Sequence, residues 1–243
     1  GDTLLRLNLI SDAQLRQAVE SFDFNTYVRT LTDFCNEDLS AFFFDVRKDC
    51  LYCDAVTDPK RMAYRTVLDT LFHALVRWAA PVLVFTAEEV WGTRYPDQGS
   101  VHLLEWPVLP NSRHPREGGG PAASGEAAGS GTPDLVRGDE LVERWEALRS
   151  LRTEVNERIE PMRREKVIGS SLEAAVTFAG DPGDTDLAEL FIVSSVAHGD
   201  ALEVTRTAHH KCGRCWRHLP EVEEDGALCS RCDQVVAGMD AGA

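Results

Sequence analysis

The 243 residues contain no apolar run that could span a bilayer. The longest, Trp78–Phe85, has eight residues, against the ~20 that a membrane helix needs. Basic charge is in deficit as well: Lys+Arg 25 against Asp+Glu 40 gives a net charge of −15. That excludes non-specific binding of nucleic acid or anionic lipid through bulk charge, so any nucleic-acid contact has to be local and shaped. Gly1–Ile10 lacks the basic start and apolar core of a secretory signal. The chain opens on glycine rather than methionine, as a piece of a longer protein would. No period of 20–50 residues repeats, which excludes a solenoid. With 43% hydrophobic and 27% charged residues, wholesale disorder is excluded too. What is present is an odd set of seven cysteines, four of them in one short C-terminal window. This favours a metal site in a reducing compartment over a disulfide scaffold.

Residues 107–133 hold five prolines and six glycines. Such a stretch buries too little apolar surface to offset its ordering entropy and reads as a flexible linker, over 111–134. The block before it, 1–110, has helical periodicity. Leu15, Val19 and Phe22 recur at helical spacing, then Tyr27, Leu31, Phe34 and Cys35 after a slip around Ser21–Asn25. A second segment runs over Leu39–Cys53 with Phe42, Phe43, Val46 and Cys50. A third starts at Asp58, which can cap, and Pro59, whose φ is preset for a first helical turn; its stripe from Val67 to Ala79 stops at Pro81. The pattern Thr86–Ala87–Glu88–Glu89 predicts a capping box opening a fourth helix with Val90 and Trp91. The expected result is a mainly α protein that begins with a helical bundle.

In 135–208 a long helix is expected from the stripe Leu141, Trp145, Leu148, Leu151, Val155, Ile159 and Met162. Arginines and glutamates alternate between these positions, which by itself describes a solvated face with i,i+4 pairs. Short β-branched runs follow at Leu172–Phe178, Phe191–Val196 and Leu202–Arg206, with an Asp181–Pro182–Gly183 turn between the first two. They predict a small sheet beside the helix, making an α/β junction domain.

The segment 209–243 carries the chemistry. Cys212–Gly213–Arg214–Cys215 is followed after thirteen residues by Cys229–Ser230–Arg231–Cys232. Two Cys-x2-Cys knuckles supply four soft thiolates, the donor set that selects zinc in a closed, structural tetrahedron with no position left for water. An iron–sulfur centre is the other metal reading, and His209, His210 or His218 stands close enough in sequence to replace a ligand. Cys50 and Cys53 have no partner knuckle and read as buried thiols more readily than as a redox pair. Trp216, flanked by Arg214 and Arg217, has two readings. It is a stacking platform for an unpaired base, or it packs over the metal as the knuckle's own core.

At these residues the sequence resembles the C-terminal third of bacterial isoleucyl-tRNA synthetase. Asp38–Asp54 (DLSAFFFDVRKDCLYCD) looks like the signature of that family's anticodon-binding bundle. Leu75–Trp91 is similar to its closing helices, a pattern shared more loosely with the valyl and leucyl enzymes. Glu165–Val176 matches its junction segment, and Cys212–Cys232 its terminal four-cysteine zinc finger. The finger alone is less specific, since certain DNA-repair glycosylases end in a comparable one.

The resemblance implies an isoleucine–tRNA ligase fragment, cytoplasmic and monomeric, that grips the anticodon stem-loop of isoleucine tRNA and binds neither membrane nor DNA. It implies one structural zinc on Cys212, Cys215, Cys229 and Cys232. It implies tRNA contacts from Arg214, Trp216 and Arg217, and from Arg163, Arg164 and Lys166 along the RNA backbone. The family's ATP-handling motifs, His-x-Gly-His and a Lys-Met-Ser-Lys-Ser-like loop, are absent from these residues, as is the editing domain. ATP and Mg would therefore act only through catalytic domains outside the chain, which alone is expected to be inactive. The competing reading is a free-standing zinc-stapled module that binds protein or RNA without a ligase context.

Overall fold

The computed structural model describes residues 12–108, 138–180 and 185–240. The linker expected at 111–134 and the turn expected at Asp181–Pro182–Gly183 lie outside the described residues. The described chain is mostly helical with a small sheet and a C-terminal cysteine cluster, as the sequence predicts. Its contacts divide into two compact units, Gly1–Phe34 with Val67–Trp145, and Cys35–Thr66 with Glu146–Ala243.

In the first unit, α1 (Asp12–Glu20) is followed by α2 (Phe24–Asp33). The break falls where the periodicity slips: Phe22 turns left-handed at φ 58°, and the Asp23 carboxylate accepts the Thr26 amide at 3.1 Å as an N-cap. Phe22, expected on the apolar stripe, is instead 80% exposed, because the turn swings it off the helical face. Tyr27 is fully buried and donates its hydroxyl to the Trp78 carbonyl at 2.5 Å, while Phe34 meets Trp78 edge-on. Burial pushes the Tyr27 phenol up to about 12. From Val67 on, α4 (Pro59–Ala79) belongs to this unit, as does α5 (Val84–Arg94). The capping box expected at Thr86–Glu89 does not form. Helix α5 begins three residues earlier, with Leu83 as cap residue and no side-chain cap, and the Ala87 amide already bonds the Leu83 carbonyl at 2.8 Å. Val76, Ala87, Trp91 and Val101 close a core there.

The second unit begins at Cys35, within a segment, Phe34–Phe44, that winds as wide π-type turns bringing Leu39, Phe42 and Phe43 inward; α3 (Asp45–Cys53) continues from it. Asp58 caps α4 as expected, accepting the Lys60 amide at 2.8 Å. The long α6 (Gly138–Arg164) buries Leu148, Val155 and Ile159. Not all of its arginines face solvent. Arg152 is buried, donating to the Leu190 carbonyl at 3.0 Å and to Asp45 at 2.8 Å, and Arg149 pairs with Asp38 at 2.8 Å beside the Phe42 ring.

The sheet has the order β2-β1-β3, with β1 (Ala174–Phe178) parallel to β2 (Ser195–His198) and antiparallel to β3 (Glu203–Arg206). The strand expected at Phe191–Val196 begins late. Asp186 caps a short helix, α7 (Leu187–Phe191), by accepting the Glu189 amide at 3.0 Å, and Ile192 turns left-handed before β2 starts.

Removing the Asp58 cap leaves orphan amides at the start of a 21-residue helix. Asp58→Ala is expected to cost about 1 kcal/mol, read as a lower urea midpoint at unchanged slope.

Candidate metal centre and recognition surface

The last segment forms β4 (His210–Lys211), β5 (His218–Leu219) and α8 (Ser230–Asp240). The first knuckle turns between β4 and β5, and the second opens α8. Cys212, Cys215, Cys229 and Cys232 are all buried, and their sulfurs lie within 4.8 Å of one another. Of the described residues these four alone form a group able to hold a metal. No histidine joins them: His218 donates from Nδ1 to the His209 carbonyl at 2.8 Å, and His210 stands 3.5 Å from Asp225.

The donor set fits a soft divalent ion on its own electrostatics. Burial pushes the Cys212 thiol up, but the amides of Cys229, Arg214 and Cys215 outweigh it and bring it down to about 6. The Cys229 amide points at the Cys212 sulfur at 3.3 Å. Burial pushes Cys215 up to about 12 and Cys232 up to about 11, each also raised by the neighbouring thiols. One thiolate is thus favoured by backbone dipoles, while burial holds Cys215 and Cys232 back from ionising until a cation joins them.

Two glycines make the turn possible. A Cβ on Gly213 would lie 2.3 Å from the Gly226 carbonyl oxygen, and Gly226 itself sits at φ +98°. The close approach lets the Gly213 amide reach the Ala227 carbonyl and the Gly226 amide reach that of Lys211.

The residues singled out in the sequence fall into two groups. Trp216 is 60% exposed and outside the buried cysteine cluster, with the Lys211 ammonium 5.2 Å from its ring centroid. Its backbone is left-handed at φ 65°, a conformation a glycine would adopt without strain. Arg163, Arg164 and Lys166 are exposed. Arg163 lies 3.7 Å from Glu160, and Lys166, left-handed at φ 59°, ends α6. The other two arginines turn inward. Arg214 donates to the Cys53 carbonyl at 2.6 Å and the Tyr52 carbonyl at 3.0 Å, and Arg217 donates to the Ser194 carbonyl at 3.2 Å.

Sequence reasoning passed over Arg231, which grips Asp49 through both nitrogens at 2.6 and 3.0 Å and reaches Asp54 at 3.0 Å. The available signal was the repeat of Cys-x-Arg-Cys in both knuckles. Cys50 and Cys53 are buried, and burial pushes both thiols up to about 12, so neither supplies the thiolate a redox pair needs. A cavity of about 240 Å³ opens beside the first knuckle, walled by Val46, Tyr52, Leu172, Ile192 and Trp216. Among the described residues no helix is long and apolar enough to cross a membrane.

Because a backbone oxygen occupies the place of its missing side chain, Gly213→Ala forces the two turns apart. The expected outcome is a loss of about 1–3 kcal/mol or more of stability and a sub-stoichiometric metal content, checked by thermal melting and elemental analysis. Gly92→Ala, in open space on α5, serves as the silent control.

Residues 210–235 match a family described as a zinc finger found in FPG and IleRS. The chain is 49% identical, over 96% of its length, to the isoleucine–tRNA ligase of Zymomonas mobilis. It is 42% identical over 92% to that of Gluconobacter oxydans, and 37% identical over 95% to that of Caulobacter vibrioides. In each case it spans about a quarter of the relative's length, 23–24%. Residues 11–178, more than half of the chain, match the anticodon-binding domain of tRNA ligase, and the chain belongs to that family.

Proposed function

We propose that the chain is the anticodon-recognising part of an isoleucine–tRNA ligase and that its RNA contact centres on Trp216. The carrying observation is an exposed indole held in a strained left-handed turn next to the thiol cluster. A buried Trp packed over the metal would need neither the exposure nor the strain. Fixing the ring before binding leaves little side-chain entropy to lose when a base stacks on it. Arg163, Arg164 and Lys166 supply local positive charge for the RNA backbone on an otherwise acidic chain, consistent with contacts that are oriented rather than bulk.

In this reading Cys212, Cys215, Cys229 and Cys232 hold one zinc ion, whose role is structural because the four thiolates complete its donor set. The ligase chemistry, with ATP and Mg, belongs to catalytic domains outside these residues, and the complete enzyme acts as a cytoplasmic monomer on isoleucine tRNA. The runner-up, a free-standing module without ligase context, leaves unexplained why the similarity to isoleucine–tRNA ligases runs through bundle, junction and finger together.

Elemental analysis should give one zinc per chain. Trp216→Ala should weaken binding of an isoleucine anticodon stem-loop roughly tenfold, in line with about 1–3 kcal/mol per stacked base, with zinc content unchanged. Wild-type affinity in that variant with zinc retained would return Trp216 to a lid on the metal site. Isoleucine-dependent exchange of pyrophosphate into ATP should stay at background with this chain alone, and turnover that survives stringent repurification would contradict the assignment.

A further inference from the structure

Both knuckles read Cys-x-Arg-Cys, and both arginines turn to the same place, the C-terminal half of α3 and the residue after it. A helix ends with carbonyls that have no intrahelical partner. At α3 the Tyr52 and Cys53 carbonyls are met by the two terminal nitrogens of Arg214, at 3.0 and 2.6 Å. The same guanidinium lies 3.7 Å from the Cys232 sulfur, so it touches helix end and thiol cluster together. Arg231 takes the side chains: a two-nitrogen grip on Asp49, one turn before the end of α3, and a further bond to the buried Asp54 just after it. Cys53 completes the junction, packing in the same buried cluster as the four knuckle cysteines. Neither arginine presents its guanidinium as a free end for RNA.

We propose that Arg214 and Arg231 are positioning residues, one from each knuckle, that latch the metal-pinned turns to the end of α3 and so set the direction in which Trp216 meets RNA. The RNA half of this inference rests on the anticodon reading above; the latch itself does not. Arg214 then contributes to affinity through the turn that carries Trp216, and not through a phosphate. The latch also joins metal loading to α3, because the arginines reach that helix only while the thiols hold each knuckle closed.

Two measurements on the zinc-loaded chain separate the parts. Hydrogen exchange without RNA reads the latch. Arg231→Ala and Asp49→Asn should each speed exchange of the Asp49–Asp54 amides roughly tenfold, with zinc at one per chain and the Tyr27 region unchanged. Asp49→Asn leaves both knuckles intact, so it decides the matter even if Arg231→Ala sheds its metal. Unchanged exchange at the end of α3 in Asp49→Asn would overturn the proposal. A salt titration of affinity for an isoleucine anticodon stem-loop then reads the role. Arg214→Ala should weaken binding roughly fivefold to tenfold while keeping the parent's salt slope, and Arg214→Lys, which reaches one carbonyl, should recover part of it. A slope flattened by about one phosphate contact would make Arg214 an RNA ligand and overturn its assignment. If the parent chain shows no preference for the stem-loop, the anticodon reading fails while the exchange result still decides the latch.

Discussion

Four thiols buried within 4.8 Å of one another cannot all ionise without a cation between them, and the C-terminal segment is arranged around that constraint. Apart from the cysteines, its buried cluster holds Val222 with partly buried Leu219, Ala227 and Leu228. That is too little apolar surface to order a segment of this length, so metal affinity has to supply the folding free energy. The turns are correspondingly tight. Gly213 lies against the Gly226 backbone, and amides are directed at sulfur and carbonyl rather than left to water.

The metal site is in turn tied to a helix end. Burial pushes the Asp49 carboxyl up, but the Arg231 guanidinium outweighs it and holds it below the ordinary carboxylate value. A charge pair that is two-pronged and half-buried gives direction as well as energy, which solvent-facing pairs such as Arg163–Glu160 do not. Arg214 and Arg231 are taken up by carbonyls and carboxylates, while Trp216 keeps its ring exposed. The acidic balance of the chain then matters less than its arrangement. RNA binding of the kind proposed, through one oriented ring and a few exposed cations, would not need a basic surface.

Much of this was legible in the residues. Helix starts with a local mechanism, such as Asp58–Pro59, fall where sequence places them, and Cys-x2-Cys spacing identified every thiol of the cluster. What failed was decided by tertiary context. The Thr86–Glu89 pattern satisfies a capping-box rule, yet the chain was already helical from Val84. Phe191 has the composition of a strand, yet an Asp186 cap held it in a short helix. Arg149 and Arg152 are indistinguishable by sequence from their solvated neighbours, and only the carboxylates of Asp38 and Asp45, more than a hundred residues away, explain why they turn inward. Arg214 shows the same limit, since nothing local announces that the Tyr52 and Cys53 carbonyls await it.

Whether the metal-pinned turn reads an anticodon loop, as proposed, is decided by comparing the zinc-loaded chain's affinity for the isoleucine anticodon stem-loop with that for the same stem carrying a scrambled loop. Preferential binding of the isoleucine loop by roughly tenfold or more, lost when the zinc is chelated and regained on its return, is the predicted result. Equal binding of the two loops, or a preference that survives metal removal, would contradict it.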